Sequence, residues 1–291
     1  MLSLGAFRYR NISVEHGGPI QSIQTVDFPV YGRRLFQTNV RLKDGLVPKR
    51  TLQVYSDADG TGADESPMVA RHMAISEALE RWAFHSTVRS GRRAQFAFDV
   101  DESSSGMAAF PGFSAKPARQ AAMREALERA CLLNWWEGRL EGERRSTPWD
   151  GVEALSFEPD PSITAVIVHG RNSQGFYSYG HAAAETFEGA CQKAILEFIR
   201  HEWVMGCWNA LGDGVGPRDR MERRAWYFST PEGYRLFRSR IKRRANAFPS
   251  FDVLCDAEIP GPWSPYATVW RYVIKPPSGR FLSAESDFFF W

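Results

Sequence analysis

The chain has 291 residues, enough to bury an ample core as one large domain or two modest ones. Its 36 Lys and Arg against 34 Asp and Glu leave a formal charge of +2, and 43% of its residues are hydrophobic, a profile that excludes a disordered or strongly polyanion-seeking chain. No apolar run approaches the roughly 20 residues that cross a bilayer, and the N-terminal residues lack the basic start and apolar stretch of a secretory signal, so a cytoplasmic protein is expected.

In chain order, the first sixty residues read as strands, with β-branched or alternating runs at Phe36–Leu42 and Thr51–Tyr55. A loop follows over Ser56–Glu65. Ser66-Pro67 then gives an N-cap with proline at the first helical position, and the helix runs to about Arg89. Next come a strand at Gln95–Val100, loops at Ser103–Gly106 and Phe110–Phe113, and a second helix from near Pro117 to Trp136. Strands at Ile163–His169 and Gly175–Tyr179 form a hairpin, and a third helix spans Ala184–Asn209. A basic helix at Pro231–Asn246 and strands at Ala267–Ile274 and Phe281–Ser286 complete the chain. The recurrence of strand, glycine-containing loop and long helix predicts an α/β fold, a mixed sheet packed against long helices, within a single domain over 1–291.

The four cysteines, Cys131, Cys191, Cys207 and Cys255, show no Cys-x-x-Cys spacing and read as reduced, mostly buried thiols rather than zinc ligands. The informative pattern is acidic. Ser76-Glu77-Ala78-Leu79-Glu80-Arg81-Trp82 and Arg124-Glu125-Ala126-Leu127-Glu128-Arg129-Ala130 each place two glutamates on one helical face, followed at once by arginine. A looser relative holds Glu197 between Lys193 and Arg200. The spacing, 48 residues from Glu77 to Glu125 and 72 from Glu125 to Glu197, fits duplicates of one helical unit. Converging carboxylates suit Mg²⁺, which takes oxygen ligands beside phosphate, and Arg81, Arg129, Lys193 and Arg200 then become candidates for the phosphates. The same pattern also serves any solvent-facing helix as a set of i,i+3 and i,i+4 ion pairs.

Gly60-Thr61-Gly62 with Ala70 to Trp82, then Phe113-Ser114, Ala118, Arg124 to Arg129 and Trp135-Trp136, then Tyr179-Gly180, Ala190 and Glu197, together resemble the YcaO family over roughly residues 35–210, with the C-terminal helix and strands lying in 211–291. The resemblance implies an enzyme that uses Mg-ATP to phosphorylate a backbone amide oxygen of a ribosomally made peptide, yielding azolines ahead of thioamides or amidines. It places metal ligands at Glu77, Glu80, Glu125, Glu128 and Glu197. Lys193 stands where the family usually has arginine, Met73 where it commonly has serine, and Ala121 where it commonly has glutamine. It implies positioning and charge neutralisation rather than a protein nucleophile, and leaves the catalytic residues unnamed. Partners would be the peptide substrate and a separate leader-binding protein, with a homodimer open and no nucleic acid beyond ATP. The alternative is a YcaO scaffold that has lost turnover and now binds a peptide or partner enzyme.

Other features divide between structure and function. Arg235, Arg238, Arg240, Lys242, Arg243 and Arg244 form a basic helix that reads first as a solvated face and second as a site for an acidic leader peptide or nucleic acid. His201, four residues after Glu197, reads as a structural histidine before a base. Trp135, Trp136, Trp203 and Trp208 read as core, and the run Phe288 to Trp291 is expected to fill a groove of this chain or a partner.

Overall fold

The computed structural model describes residues 4–30, 33–48, 58–172, 174–211, 217, 219–246 and 249–290; the expected strand Thr51–Tyr55 and the side chain of Trp291 lie outside them. After 3₁₀ turns at Leu4–Tyr9 and Val14–His16 come β1 (Ile20–Val30), β2 (Arg33–Leu42), β3 (Gly60–Asp64), α1 (Pro67–Val88), β4 (Ser105–Phe110) and α2 (Lys116–Trp136). Then follow β5 (Glu143–Ser146), β6 (Val152–Asp160), β7 (Ile163–Arg171), β8 (Tyr177–Ala184), α3 (Phe187–Leu211), α4 (Arg220–Ser229), α5 (Pro231–Ile241), β9 (Val253–Glu258), β10 (Thr268–Ile274) and α6 (Arg280–Ser283). The α/β expectation is met by three sheets, ordered β1-β2-β3, β4-β10-β9 and β5-β6-β7-β8. Among the described residues no helix is long and apolar enough to cross a membrane.

Contacts divide the chain into two compact units, one of residues 1–100, 106–123 and 254–273, the other of 101–105, 124–253 and 274–291. In the first unit β1, β2 and β3 form an antiparallel meander on which α1 packs. Ser66 caps α1 by accepting the Val69 N–H, and Pro67 opens it. Ala74, Ile75, Ala78 and Leu79 of α1 join Ile20, Val40, Met107, Trp263 and Val269 in one buried cluster. In the second unit β6, β7 and β8 repeat the meander and α3 packs on it, with Val166, Val168, Ala182, Ala190, Ala194, Ile195 and Phe198 buried between.

The two meander-helix assemblies are copies. Val40, Asn39 and Thr38 pair with Gly60, Thr61 and Gly62, as Val168, Ile167 and Val166 pair with Gly180, His181 and Ala182. Gly60 lies on the backbone of α1 so closely that a Cβ would collide with Ala74 O and Ala78 N; a Cβ on Gly180 would collide with Ala194 O and Phe198 N. Ser66 receives the Val69 N–H at one helix start and Thr186 the Gly189 N–H at the other. Gly60 and Gly180, Ser66 and Thr186, Ala74 and Ala194, Glu77 and Glu197 are each 120 residues apart. The expected duplication therefore relates α1 to α3 in full, strands included, whereas α2 follows the single strand β4 of another sheet.

The C-terminal aromatics fill a groove of their own unit. Phe289 lies within 5.8 Å, ring centre to ring centre, of Trp135, Trp136, Tyr179, Phe228 and Phe237. The buried Arg224 guanidinium donates to the carbonyls of Phe281, Ala284, Glu285 and Phe290, holding the segment's backbone while burial pulls its own pKa down to about 10.

Several local expectations are corrected. Gly60-Thr61-Gly62 is strand, because the sheet edge must lie flat on α1. Gln95–Val100 is not a strand: Arg93–Phe96 turns as a 3₁₀ helix and Ala97 adopts φ 52°, bent so that Arg271 can bond the Phe96 and Ala97 carbonyls. Ser105 already belongs to β4. Phe281–Ser286 is not a strand either, since Arg224 takes its carbonyls and α6 occupies its start. Trp203 is exposed, not core, and the basic helix ends at Ile241. Cys131, Cys191 and Cys255 are buried free thiols, as expected.

Gly60→Ala and Gly180→Ala should each cost more than about 2 kcal/mol in chemical denaturation, because backbone must move to admit the methyl group. Gly91→Ala, with open space around it, should stay within about 0.5 kcal/mol.

Candidate functional site

Each unit carries part of the predicted acidic set. In the first, Glu77 accepts the Thr61 N–H at 2.9 Å and the Thr61 hydroxyl at 3.0 Å, and pairs with Arg81 at 2.5 Å. Arg81 also donates to the Ala58 carbonyl at 3.1 Å. Glu80 lies half-buried one turn along α1, and Met73, four residues before Glu77, is exposed. Glu77 is thus fixed to the strand that Gly60 brings onto the helix, a tighter placement than a free surface ion pair.

In the second unit Glu125 pairs with Arg129 at 2.7 Å and Glu197 with Arg200 at 2.6 Å, all four side chains about one-third to one-half exposed. Glu128 is the least exposed of these acids, at 14%, and its Oε1 lies 2.6 Å from His181 Nδ1. Burial alone lowers the His181 pKa, but the hydrogen bond and charge of Glu128, helped by Glu197, outweigh it and raise the value above 6.5. Both carboxylates act on the ring in the same direction, against the charge of Arg129. The Phe290 ring covers the imidazole at 5.6 Å and lies 6.0 Å from the Arg129 guanidinium. Lys193 is held below its usual value by desolvation and by Arg124, with Glu128 and Glu185 acting against them.

The structure thus brings Glu128, Glu197, Arg129 and Lys193 into one electrostatic neighbourhood centred on His181, a residue the sequence did not single out. Its signal was positional: His181 follows Gly180 as Thr61 follows Gly60, and both strand residues answer a helix glutamate. His201 is not a base here. It is buried against Tyr179, and burial pushes its pKa down to about 4, keeping it neutral.

Among the described residues no three His, Cys, Asp or Glu side chains are already grouped to hold a metal ion. The donor chemistry nevertheless fits one: hard carboxylate oxygens, with Glu77, Glu125 and Glu197 balanced by arginines at 2.5–2.7 Å. Partly exposed pairs of this kind are worth about 1 kcal/mol or less, so a divalent ion can take the carboxylates while phosphate oxygens take the released guanidinium groups.

No family model matches the sequence, and no curated protein matches it. Among solved structures, a chain of the E. coli microcin synthetase McbBCD complex with pro-MccB17 bound is similar, with a TM-score of 0.54 and 12% identity over 88% of this chain and 87% of that one. At this identity the likeness is one of fold.

Because folding raises the His181 pKa, the stabilisation from its pairing is complete below about 6.5 and disappears as pH rises through the folded value. The stability difference between the wild type and His181→Gln should therefore shrink from pH 6 to pH 9 in denaturant titrations. Taking the difference cancels His169 and His201, both pushed down to about 4, whose contributions run the other way. A difference that does not vary with pH would show that His181 is neutral.

Proposed function

We propose that this chain is a YcaO-like enzyme that uses Mg-ATP to activate backbone amides of a ribosomally made peptide, with azoline formation favoured over thioamidation. One observation carries the reading: Glu77 and Glu128 bond strand residues, and Glu77, Glu125 and Glu197 pair with arginines of their own helices, a charge pattern that suits a metal-phosphate ligand. The fold likeness to a chain of a synthetase complex that holds a pro-peptide supports the peptide class of substrate.

Glu77 and Glu80 on α1, Glu125 and Glu128 on α2, and Glu197 on α3 are the residues to hold magnesium, and Arg81, Arg129, Lys193 and Arg200 the residues to hold phosphate. When bound, Mg-ATP supplies the phosphoryl group that converts an amide oxygen into a leaving group. Glu128 also orients the His181 ring through Nδ1, so the two residues act together at this site. The Phe290 ring packs beside that pair, 5.6 Å from the imidazole.

Calorimetric titration with ATP, with and without Mg²⁺, tests the reading. Binding should depend on Mg²⁺ and weaken by roughly tenfold or more, about 1.4 kcal/mol, in Glu125→Gln and in Glu128→Gln. Equal binding in both variants would sink the assignment of ligands. Phosphate release on adding a peptide rich in Cys, Ser and Thr separates the enzyme from a scaffold that has lost turnover: tight Mg-ATP binding with no release under any such peptide would favour the scaffold.

A further inference from the structure

The basic helix is not evenly solvated. Arg240 lies over the Trp136 ring at 4.9 Å and Arg238 reaches Glu153 at 3.3 Å, so these two charges are tied to the unit. Arg235 and Lys242 are exposed, and among the described residues neither has a carboxylate partner. Two cavities flank this helix. One, of about 680 Å³, is lined by Tyr234, Arg235, Arg238, Ser239 and Lys242. The other, of about 600 Å³, is lined by Trp226, Tyr227, Pro217, Pro231, Arg223 and Arg235, with Glu232 as its one acid. Arg235 lines both, so the two adjoin at that side chain along α5 and α4, and are taken together as one groove.

We infer that this groove binds an acidic, extended peptide segment that carries apolar side chains between its carboxylates; if the proposed function holds, this segment is the recognition part of the peptide substrate. Charge favours it: Arg223, Arg235, Arg238 and Lys242 face the groove against Glu232, and Glu153 is already shared between Arg144 and Arg238. Spacing favours it as well. Arg235 and Arg238 fall at i and i+3 on α5 and Lys242 caps its end, a span of about 10 Å that an extended chain covers in about three residues. Trp226, Tyr227 and the prolines supply the apolar wall that accepts the intervening side chains.

A single-stranded nucleic acid suits the groove less well, since it needs free aromatic faces. The Tyr234 face is taken by Tyr177, stacked at 3.8 Å and 11°. Trp226 is packed edge-on with Trp208 and Tyr227 with Phe228.

Fluorescence anisotropy with a labelled peptide of alternating Glu and Leu tests the inference on the full chain. Binding should weaken as salt rises, and Arg235→Glu/Lys242→Glu should weaken it by roughly tenfold or more, with Arg235→Gln/Lys242→Gln in between. Both double variants should keep the wild-type thermal transition and Mg-ATP binding, and Glu128→Gln should keep peptide binding. That pattern separates the groove from the nucleotide site. The inference is overturned if the charge reversal leaves binding unchanged, if a Lys-and-Leu peptide binds equally well, if a single-stranded RNA oligonucleotide binds more tightly through the same two residues, or if the acidic peptide does not bind while Mg-ATP does.

Discussion

The closest constraint in this structure is the contact of a glycine strand with a helix backbone, made twice. At Gly60 on α1 and Gly180 on α3 no side chain fits between strand and helix, so each helix is pressed onto its sheet along a stripe of alanines, Ala70, Ala74 and Ala78 in one copy and Ala190 and Ala194 in the other. That approach sets which helix residue meets the strand residue just after the glycine. In the first copy this pair is Thr61 and Glu77, joined by two hydrogen bonds. In the second it is His181 and Glu197, coupled through their charges. The positions of Glu77 and Glu197 are therefore consequences of strand-on-helix packing, whereas Glu125 and Glu128 are carried by α2.

Once the frame is duplicated, the differences between copies carry the chemistry. Thr61 becomes His181, Met73 becomes Lys193 and Glu80 becomes Arg200 across the same 120-residue step. The first copy thus keeps two helix acids and a neutral donor, whereas the second exchanges the lone acid's surroundings for cations. A frame that buries small residues against backbone tolerates such changes because the exchanged side chains lie at its rim rather than in its core. Divergence of this kind leaves one copy richer in acids and the other richer in cations.

The long helices were legible because their signals are local: the Ser66-Pro67 cap, the alanine and leucine periodicity, and the Glu-x-x-Glu-Arg spacing each lie within a few turns. The β7–β8 hairpin was legible for the same reason. Strand β3 was not, because Gly60-Thr61-Gly62 has no strand propensity of its own and becomes a strand only when β2 pairs with it and α1 covers it. The turn at Arg93–Ala97 was missed because its cause, Arg271, lies far away in sequence. The glutamates were found, but their actual partners were only partly readable: arginines three or four residues along the helix follow from spacing, while His181 answers Glu128 from another element. Trp203 shows the limit of composition, since an apolar helix of 25 residues still presents one face to water.

The aromatic C-terminal run links the second unit's core to its charged site. Phe289 is anchored among Trp135, Trp136 and Phe237, and Arg224 fixes the backbone around it, so Phe290 is delivered onto His181 with little freedom. A ring in that position acts on the Glu128–His181 pair in two opposing ways. It removes water that would otherwise hydrate the imidazolium, which favours the neutral base, and it strengthens the attraction between the imidazolium and Glu128 by lowering the local dielectric. Desolvation pulls the His181 pKa down, and the hydrogen bond and charge of Glu128, with Glu197 behind them, outweigh it. Two acids, one on α2 and one on α3, thus act on the ring in the same direction. The tail therefore joins the aromatic core of the second unit to the ring of its charged site, through Phe289 on one side and Phe290 on the other.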